Sequence, residues 1–226
     1  MLPNLPAYIT TIFLLTVALM FYLFVSSVRK KAIVSVILLL WLSLTGILSF
    51  AGIFQNTAAI PPRLALIMLP ALVLIVLLLA TKKGKSFTDS LDLKKITLLH
   101  IVRIPVEIIL FLLASRKVIP DLMTFAGRNF DIVSGITAPI VYFVCFSNGQ
   151  LKNRFLLLAW NFICLGLLLN IVINAVLSLP YPFQQFAFDQ PNMAVLYFPF
   201  TWLPSFIVVI VLYCHLAAIR QLFKSK

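Results

Sequence analysis

Apolar runs of roughly 20 residues recur along almost the whole chain, and short polar segments separate them. A helix of that length crosses the hydrocarbon core of a bilayer, which is about 30 Å thick. We therefore predict an all-α fold, a polytopic membrane bundle of about seven transmembrane helices that forms a single domain over residues 1–226. The predicted spans are residues 6–28, 32–54, 63–80, 96–114, 131–147, 155–177 and 193–217.

The composition supports a membrane protein. Of the 226 residues, 62% are hydrophobic and 11% are charged, whereas soluble domains contain about 25% charged residues. No basic residue precedes the first run and Arg29 follows it, so we interpret this run as a retained helix and not as a cleavable signal peptide. The lipid bilayer is the expected partner, and the expected location is the cytoplasmic (inner) membrane, as a multi-pass protein.

The basic residues predict an orientation. With the N-terminus outside and the C-terminus inside, four basic residues lie outside (Arg63, Arg116, Lys117 and Arg128) and Arg103 lies within a span. Basic residues favour the cytoplasmic side, so this excess predicts N-out and C-in. The thirteen basic residues inside are then Arg29, Lys30, Lys31, Lys82, Lys83, Lys85, Lys94, Lys95, Lys152, Arg154, Arg220, Lys224 and Lys226.

The same distribution argues against nucleic acid as a partner, because the net charge of +12 resides in short clusters beside apolar runs. Cys145, Cys164 and Cys214 lie inside apolar runs without C-x-x-C spacing, so we interpret them as small buried residues. The two histidines are more than a hundred residues apart and do not indicate a metal or haem site. We predict no metal and no cofactor.

The main candidate site lies in the fourth span. His100, Arg103 and Glu107 fall within an arc of about 60° on one helix face. Ionisable side chains at membrane depth cost free energy and usually face a protein interior or a wet cavity. Pro105 lacks an amide hydrogen, so we expect the helix to kink or unwind near Ile101.

Two interpretations of this group remain open. It either fixes helix packing as a hydrogen-bonded cluster, or it forms a substrate or ion site in which Glu107 exchanges a proton or binds a cation while Arg103 tunes it. Asn170 and Asn174 share a face of the sixth span and are candidate partners. The arrangement also predicts direct coupling between Arg103 and Glu107.

A second polar group is expected at the outer mouth of the bundle. Arg128 and Asp131 precede the fifth span, and Asp131 is placed to cap that helix. Gln184, Gln185 and Asp189 lie in an aromatic-rich segment before the seventh span. This segment is either an interfacial anchor or a lid above the Glu107 helix.

The segment from Pro105 to Leu113 resembles the P-x-E-E-x-x-F-F segment of the small heteromeric lycopene cyclases, which are polytopic proteins. The resemblance covers about nine residues, Ile108 replaces the second acid, and the chain has no second P-x-E repeat. It implies that Glu107 acts as an acid toward a polyene.

Three functions are therefore compatible with the sequence. The first is a small transporter or permease with an intramembrane polar site on the fourth helix, which takes a small molecule or a proton. The second is a membrane-embedded acid–base enzyme that acts on a lipophilic substrate, as the cyclase resemblance implies. The third is a non-catalytic receptor or assembly subunit.

Overall fold

The chain is almost entirely helical in a computed structural model, which describes residues 2, 5–147 and 150–224. Two short strands, β1 (Phe146–Ser147) and β2 (Gln150–Leu151), pair antiparallel. The helices are α1 (Ala7–Ser27), α2 (Lys31–Phe50), α3 (Ala65–Ala80), α4 (Lys82–Asp89), α5 (Leu93–Leu99), α6 (Arg103–Ser115), α7 (Ile132–Cys145), α8 (Arg154–Leu177) and α9 (Val208–Lys224).

Five helical segments of the described chain are long and apolar enough to cross a membrane: α1, α2, Leu93–Ser115, α8 and Leu203–Lys224. Helices α3 and α4 form a pair that bends by 87°, which makes a broken span or a re-entrant loop. Helix α7 has 14 residues and is about 21 Å long, so it is shorter than the hydrocarbon core. The prediction of a helical fold is confirmed, and the apolar helices are consistent with a multi-pass membrane protein, while the count of seven spans stays a prediction.

The fourth predicted span contains the expected irregularity. Helices α5 and α6 are joined by a 3-10 turn at His100–Val102, directly before Pro105. Proline cannot donate the backbone hydrogen bond to the residue four positions earlier, which is Ile101. The turn therefore lies where the proline disrupts the helical ladder, and it brings His100 and Arg103 to the two ends of the break.

The last helix begins later than predicted. Residues 193–202 are turns and a 3-10 segment, and a π-helical stretch, Leu203–Ile207, leads into α9. Pro199 and Pro204 withhold backbone donors from this region, which explains why the continuous helix begins at Leu203, ten residues after the start of the predicted span 193–217. At its other end the helix continues to Lys224 because polar side chains there find partners on α4.

These polar contacts gather several helix ends at one end of the bundle. Asp89 at the end of α4 accepts hydrogen bonds from Arg220 at 3.0 Å and from Lys224 at 2.8 Å. Lys95 Nζ on α5 donates to the Ser26 carbonyl at the end of α1 at 3.0 Å. The ends of α1, α4 and α9 and the start of α5 therefore lie together.

Candidate binding cavity

A partly open cavity of about 80 Å³ lies between α3, α6, α8 and the last helix. Its walls are almost entirely apolar. On α8 they are formed by Leu168, Ile171, Val172, Ala175 and Val176, which share one helix face. These residues extend over about 12 Å of α8, less than half the thickness of the hydrocarbon core.

Polar groups interrupt these walls at a few positions. Arg103 and Glu107 come from α6 and Asp131 directly precedes α7, while Asn192 belongs to the segment before the last helix. All four side chains are buried. The chain has thus placed three ionisable groups beside a cavity that is otherwise lined by hydrocarbon.

Arg103 is held by Asp131. Arg103 Nη1 donates a hydrogen bond to Asp131 Oδ1 at 2.6 Å, in an ion pair whose two side chains are 3% and 7% exposed. Close contact between α6 and α7 makes this possible, because a Cβ atom added at Gly135 would meet the Ile104 backbone nitrogen at 3.0 Å. Gly135 lies one turn after Asp131, so the small residue brings the carboxylate up to the guanidinium.

The other side of the guanidinium contacts His215 on α9. Arg103 Nη2 lies 3.1 Å from His215 Nε2, and His215 Nδ1 lies 2.8 Å from Asn161 Oδ1. A guanidinium nitrogen only donates, so His215 Nε2 must accept and His215 Nδ1 must carry the hydrogen. Asn161 donates in turn to the Leu157 carbonyl at 2.8 Å, which fixes the orientation of its amide.

Glu107 has a different partner from the one its position suggests. Asn129 Nδ2 donates to Glu107 Oε1 at 2.6 Å and to the Met123 carbonyl at 3.0 Å. Asn129 Oδ1 accepts a hydrogen bond from the Asp131 backbone amide at 3.0 Å. Within the described chain, the second carboxyl oxygen, Glu107 Oε2, is buried without a hydrogen-bond partner. One edge of the carboxyl is therefore anchored, and the other is unpaired.

His100 forms an aromatic cluster beside this network. Its ring stacks on His215 with a centroid distance of 3.9 Å and an interplanar angle of 16°. The Trp160 ring meets His100 edge-on at 5.4 Å. His100 therefore supports the position of His215 and reaches the Arg103 network through that residue.

A family model covers this whole site. The model, described as Domain of unknown function (DUF8737), matches residues 60–223. The chain belongs to the DUF8737 family. No curated protein and no solved structure matches the chain. The matched region of this DUF8737 protein runs from before α3 into α9 and includes every cavity residue, whereas α1 and α2 precede it.

The predicted site residues are brought together only in part. Asn174 Nδ2 donates to the Asn170 carbonyl at 2.8 Å, and Asn170 is exposed and donates to the Arg128 carbonyl at 2.8 Å. Among the described hydrogen bonds, neither asparagine binds Arg103 or Glu107. These hydrogen bonds do not pair Asn170 and Asn174 with Arg103 or Glu107, and their place in a substrate or ion site stays a prediction.

The residues predicted at the outer mouth are brought together in part, because Arg128 contacts the segment that contains Gln184. Arg128 lies over the Phe186 ring at 5.6 Å, and Gln184 donates to the Phe186 and Ala187 carbonyls of its own loop. Gln185 and Asp189 are exposed. Asp131 begins α7 as predicted, but its side chain makes no capping hydrogen bond, because the carboxylate turns to Arg103 instead.

Sequence reasoning missed three residues of the site: Asn129, Asn161 and His215. Each is a fully buried polar side chain, and two of them lie inside long apolar runs. His215 contacts Arg103 directly. A polar residue inside an apolar run was the available signal, since such residues seldom face lipid.

Proposed function

We propose that this DUF8737 protein binds a lipophilic small molecule in the cavity, with Glu107 contacting the polar end of that molecule. One observation carries the proposal: an apolar cavity reaches a buried carboxyl that has an unpaired oxygen. Ligand sites are commonly concave and mostly apolar, with a few polar groups that orient the ligand.

The apolar walls favour a lipophilic ligand over a hydrated ion. A route for ions needs polar groups along its length to replace the water that the ion loses. In the cavity, the ionisable groups are confined to Arg103, Glu107 and Asp131, and hydrocarbon side chains form nearly all of the remaining wall. A molecule with an apolar body and one polar group matches this distribution.

Glu107 is the group we expect to act on the ligand. The Arg103 guanidinium already contacts Asp131 and His215, so we assign its charge to the hydrogen-bond network beside the cavity and not to the ligand. Glu107 keeps one oxygen for a ligand and is oriented through the other by Asn129. A carboxyl held in this way is suited to receive or donate a proton, which is the role required by an acid–base enzyme.

Acid–base catalysis and transport are two uses of the same cavity. An enzyme would return a chemically changed molecule, whereas a transporter or permease would release the same molecule on the other side. A lipophilic ligand favours an enzyme over a transporter of ions. Chemical analysis of the recovered ligand distinguishes an enzyme, which changes the molecule, from a transporter of lipophilic molecules, which does not. A receptor or assembly subunit without a ligand would not need the cavity.

We further propose that the chain is a single transmembrane domain with seven spans and with its N-terminus outside. The contacts of Asp89 with Arg220 and Lys224, and of Lys95 with Ser26, support this orientation. They place basic residues of α5 and α9 at one end of the bundle, beside the ends of α1 and α4, and such residues favour the cytoplasmic side. Lys226, which is predicted to be inside, and Met1, which is predicted to be outside, lie beyond the described residues.

The test is to fill the cavity and measure what the protein retains. Val172 lines the cavity and its neighbour Ile173 is 55% exposed on the lipid-facing surface, so Val172→Phe and Ile173→Phe form a matched pair. After purification in mild detergent, mass spectrometry of extracted lipophilic molecules should find a species bound to wild type and Ile173→Phe but depleted in Val172→Phe. Equal amounts of every species in all three proteins would contradict the proposal.

A further inference from the structure

The charges at the cavity do not cancel when both carboxyl groups are ionised. Arg103 contributes one positive charge, and Asp131 and Glu107 contribute one negative charge each. Asp131 takes the guanidinium as its partner at 2.6 Å, and His215 accepts from the guanidinium through Nε2, which leaves that imidazole neutral. With both carboxyl groups ionised, the site therefore carries one unmatched negative charge, and it is on Glu107.

The unpaired hydrogen-bonding atoms show the same imbalance. Glu107 Oε2 and Asn192 Oδ1 are buried acceptors without partners among the described residues, and both side chains line the cavity. The amide of Asn192 is oriented by its own donation to the Ala175 carbonyl at 3.2 Å, so its oxygen is the free atom. Arg103 Nε is the unpaired donor at this cavity. Acceptors thus exceed donors.

We propose that the ligand of this cavity is a lipophilic amine, bound as an ammonium ion against Glu107 Oε2. This inference rests on the proposed function and adds the chemical class of the ligand. An ammonium group supplies both the positive charge and the hydrogen-bond donors that the site lacks, and its apolar substituents occupy the region along α8. A fatty alcohol supplies a donor without the charge, and a fatty acid adds a second negative charge.

Binding of three decyl compounds tests the class of ligand. Decylamine, decanol and decanoate have the same chain, and at about pH 7.5 the amine is protonated and the acid ionised. We expect decylamine to bind purified wild type about tenfold more tightly than decanol, since a charge-assisted hydrogen bond exceeds a neutral one by about 1.4 kcal/mol. Decanoate should bind most weakly. Val172→Phe should lose decylamine binding, and Ile173→Phe should retain it.

The variant Glu107→Gln tests whether Glu107 is the group that makes decylamine bind more tightly than decanol. The amide keeps the size and a hydrogen-bonding edge but removes the charge, so decylamine should lose its tenfold advantage while decanol binding changes little. The comparison of the three compounds on wild type stands even if this variant does not fold. Preference for decanol or decanoate on wild type would overturn the amine inference and leave the proposed cavity in place. If all three compounds bind and Val172→Phe changes the binding of none of them, both the amine inference and the proposed binding cavity are contradicted.

Discussion

Arg103 and Asp131 form a buried ion pair at 2.6 Å between α6 and the start of α7. Arg103 lies one helical turn from Glu107, the acid that the sequence suggested as its partner. Because Asp131 takes that position, Glu107 depends on a neutral amide, Asn129, for its hydrogen bond. The two acids therefore have separate roles: Asp131 compensates the charge of Arg103, and Glu107 is exposed to the cavity.

The first prediction concerns the separate roles of Asp131 and Glu107. Removing one member of a buried ion pair leaves the other charge unpaired and typically costs about 3–5 kcal/mol, so Asp131→Asn should strongly lower the thermal stability of the purified protein. The double variant Arg103→Gln with Asp131→Asn should recover part of that loss. Glu107→Gln removes no ionic partner and should cost about 1 kcal/mol or less.

A double-mutant cycle provides the control. The coupling energy between Arg103 and Asp131 should exceed that between Arg103 and Glu107, measured from melting temperatures in the same detergent. The opposite order would restore the direct Arg103–Glu107 pair that the sequence predicts and would remove the reason for treating Glu107 as the free acid.

The second prediction is the tautomer of His215. The guanidinium donates to its Nε2, so the imidazole should be neutral with its hydrogen on Nδ1, directed at Asn161. Nitrogen-15 NMR of histidine-labelled protein should show an unprotonated Nε2 for His215. A signal from protonated Nε2 would mean that Arg103 does not donate to this ring.

The sequence was sufficient to predict the helical membrane fold, because apolar runs of about 20 residues have few alternatives in a bilayer. It also located the break near Ile101 from Pro105 alone. It did not predict the partners of Arg103. Asp131 and His215 are 28 and 112 residues from Arg103 in the chain, and helix periodicity relates only residues of one helix.

The ends of the elements were also difficult to predict for physical reasons. Helix α4 is short and follows a bend of 87°, and its hydrogen bonds with α9 join residues 125 or more positions apart. The segment before α9 contains many apolar residues, as a span does, yet Pro199 and Pro204 prevent a regular helix there. Hydrophobicity alone does not separate such a segment from a membrane helix.

The third prediction is the orientation. Asn56, which lies before α3, and Lys83, which lies within α4, are both exposed. With the N-terminus outside, Asn56→Cys should react with an impermeant maleimide in intact cells, and Lys83→Cys should react only after the membrane is opened. The native cysteines are buried and wild type serves as the blank. Labelling of position 83 alone in intact cells would invert the orientation.

The fourth prediction concerns Asp89. Partial burial raises the pKa of this carboxyl, but hydrogen bonds and attraction from Lys224 and Arg220 outweigh burial, and the pKa lies below its ordinary value. A lowered pKa in the folded state means that the carboxylate stabilises the fold above the unfolded pKa, about 3.9, and that this contribution disappears as the pH falls through the lower folded value.

The variant Asp89→Asn isolates this effect. Wild type should exceed the variant by a constant margin, about 0.5–1 kcal/mol for a partly exposed pair, between roughly pH 5 and 7. The margin should shrink below about pH 4 and also at high salt, because screening weakens partly exposed pairs. A margin that does not change with pH in melting experiments would assign the effect to packing.

Photoaffinity labelling tests the central claim, a lipophilic ligand in the cavity, most directly. A decyl probe that carries a diazirine on its chain, photolysed with the protein in membranes, should modify wall residues of α8 and the last helix such as Val172 and Val208. Excess unlabelled decyl compound should compete with this modification, and Val172→Phe should abolish it. If modification occurs only at lipid-exposed positions such as Ile173, and neither competitor nor Val172→Phe changes it, the cavity does not bind a lipophilic molecule.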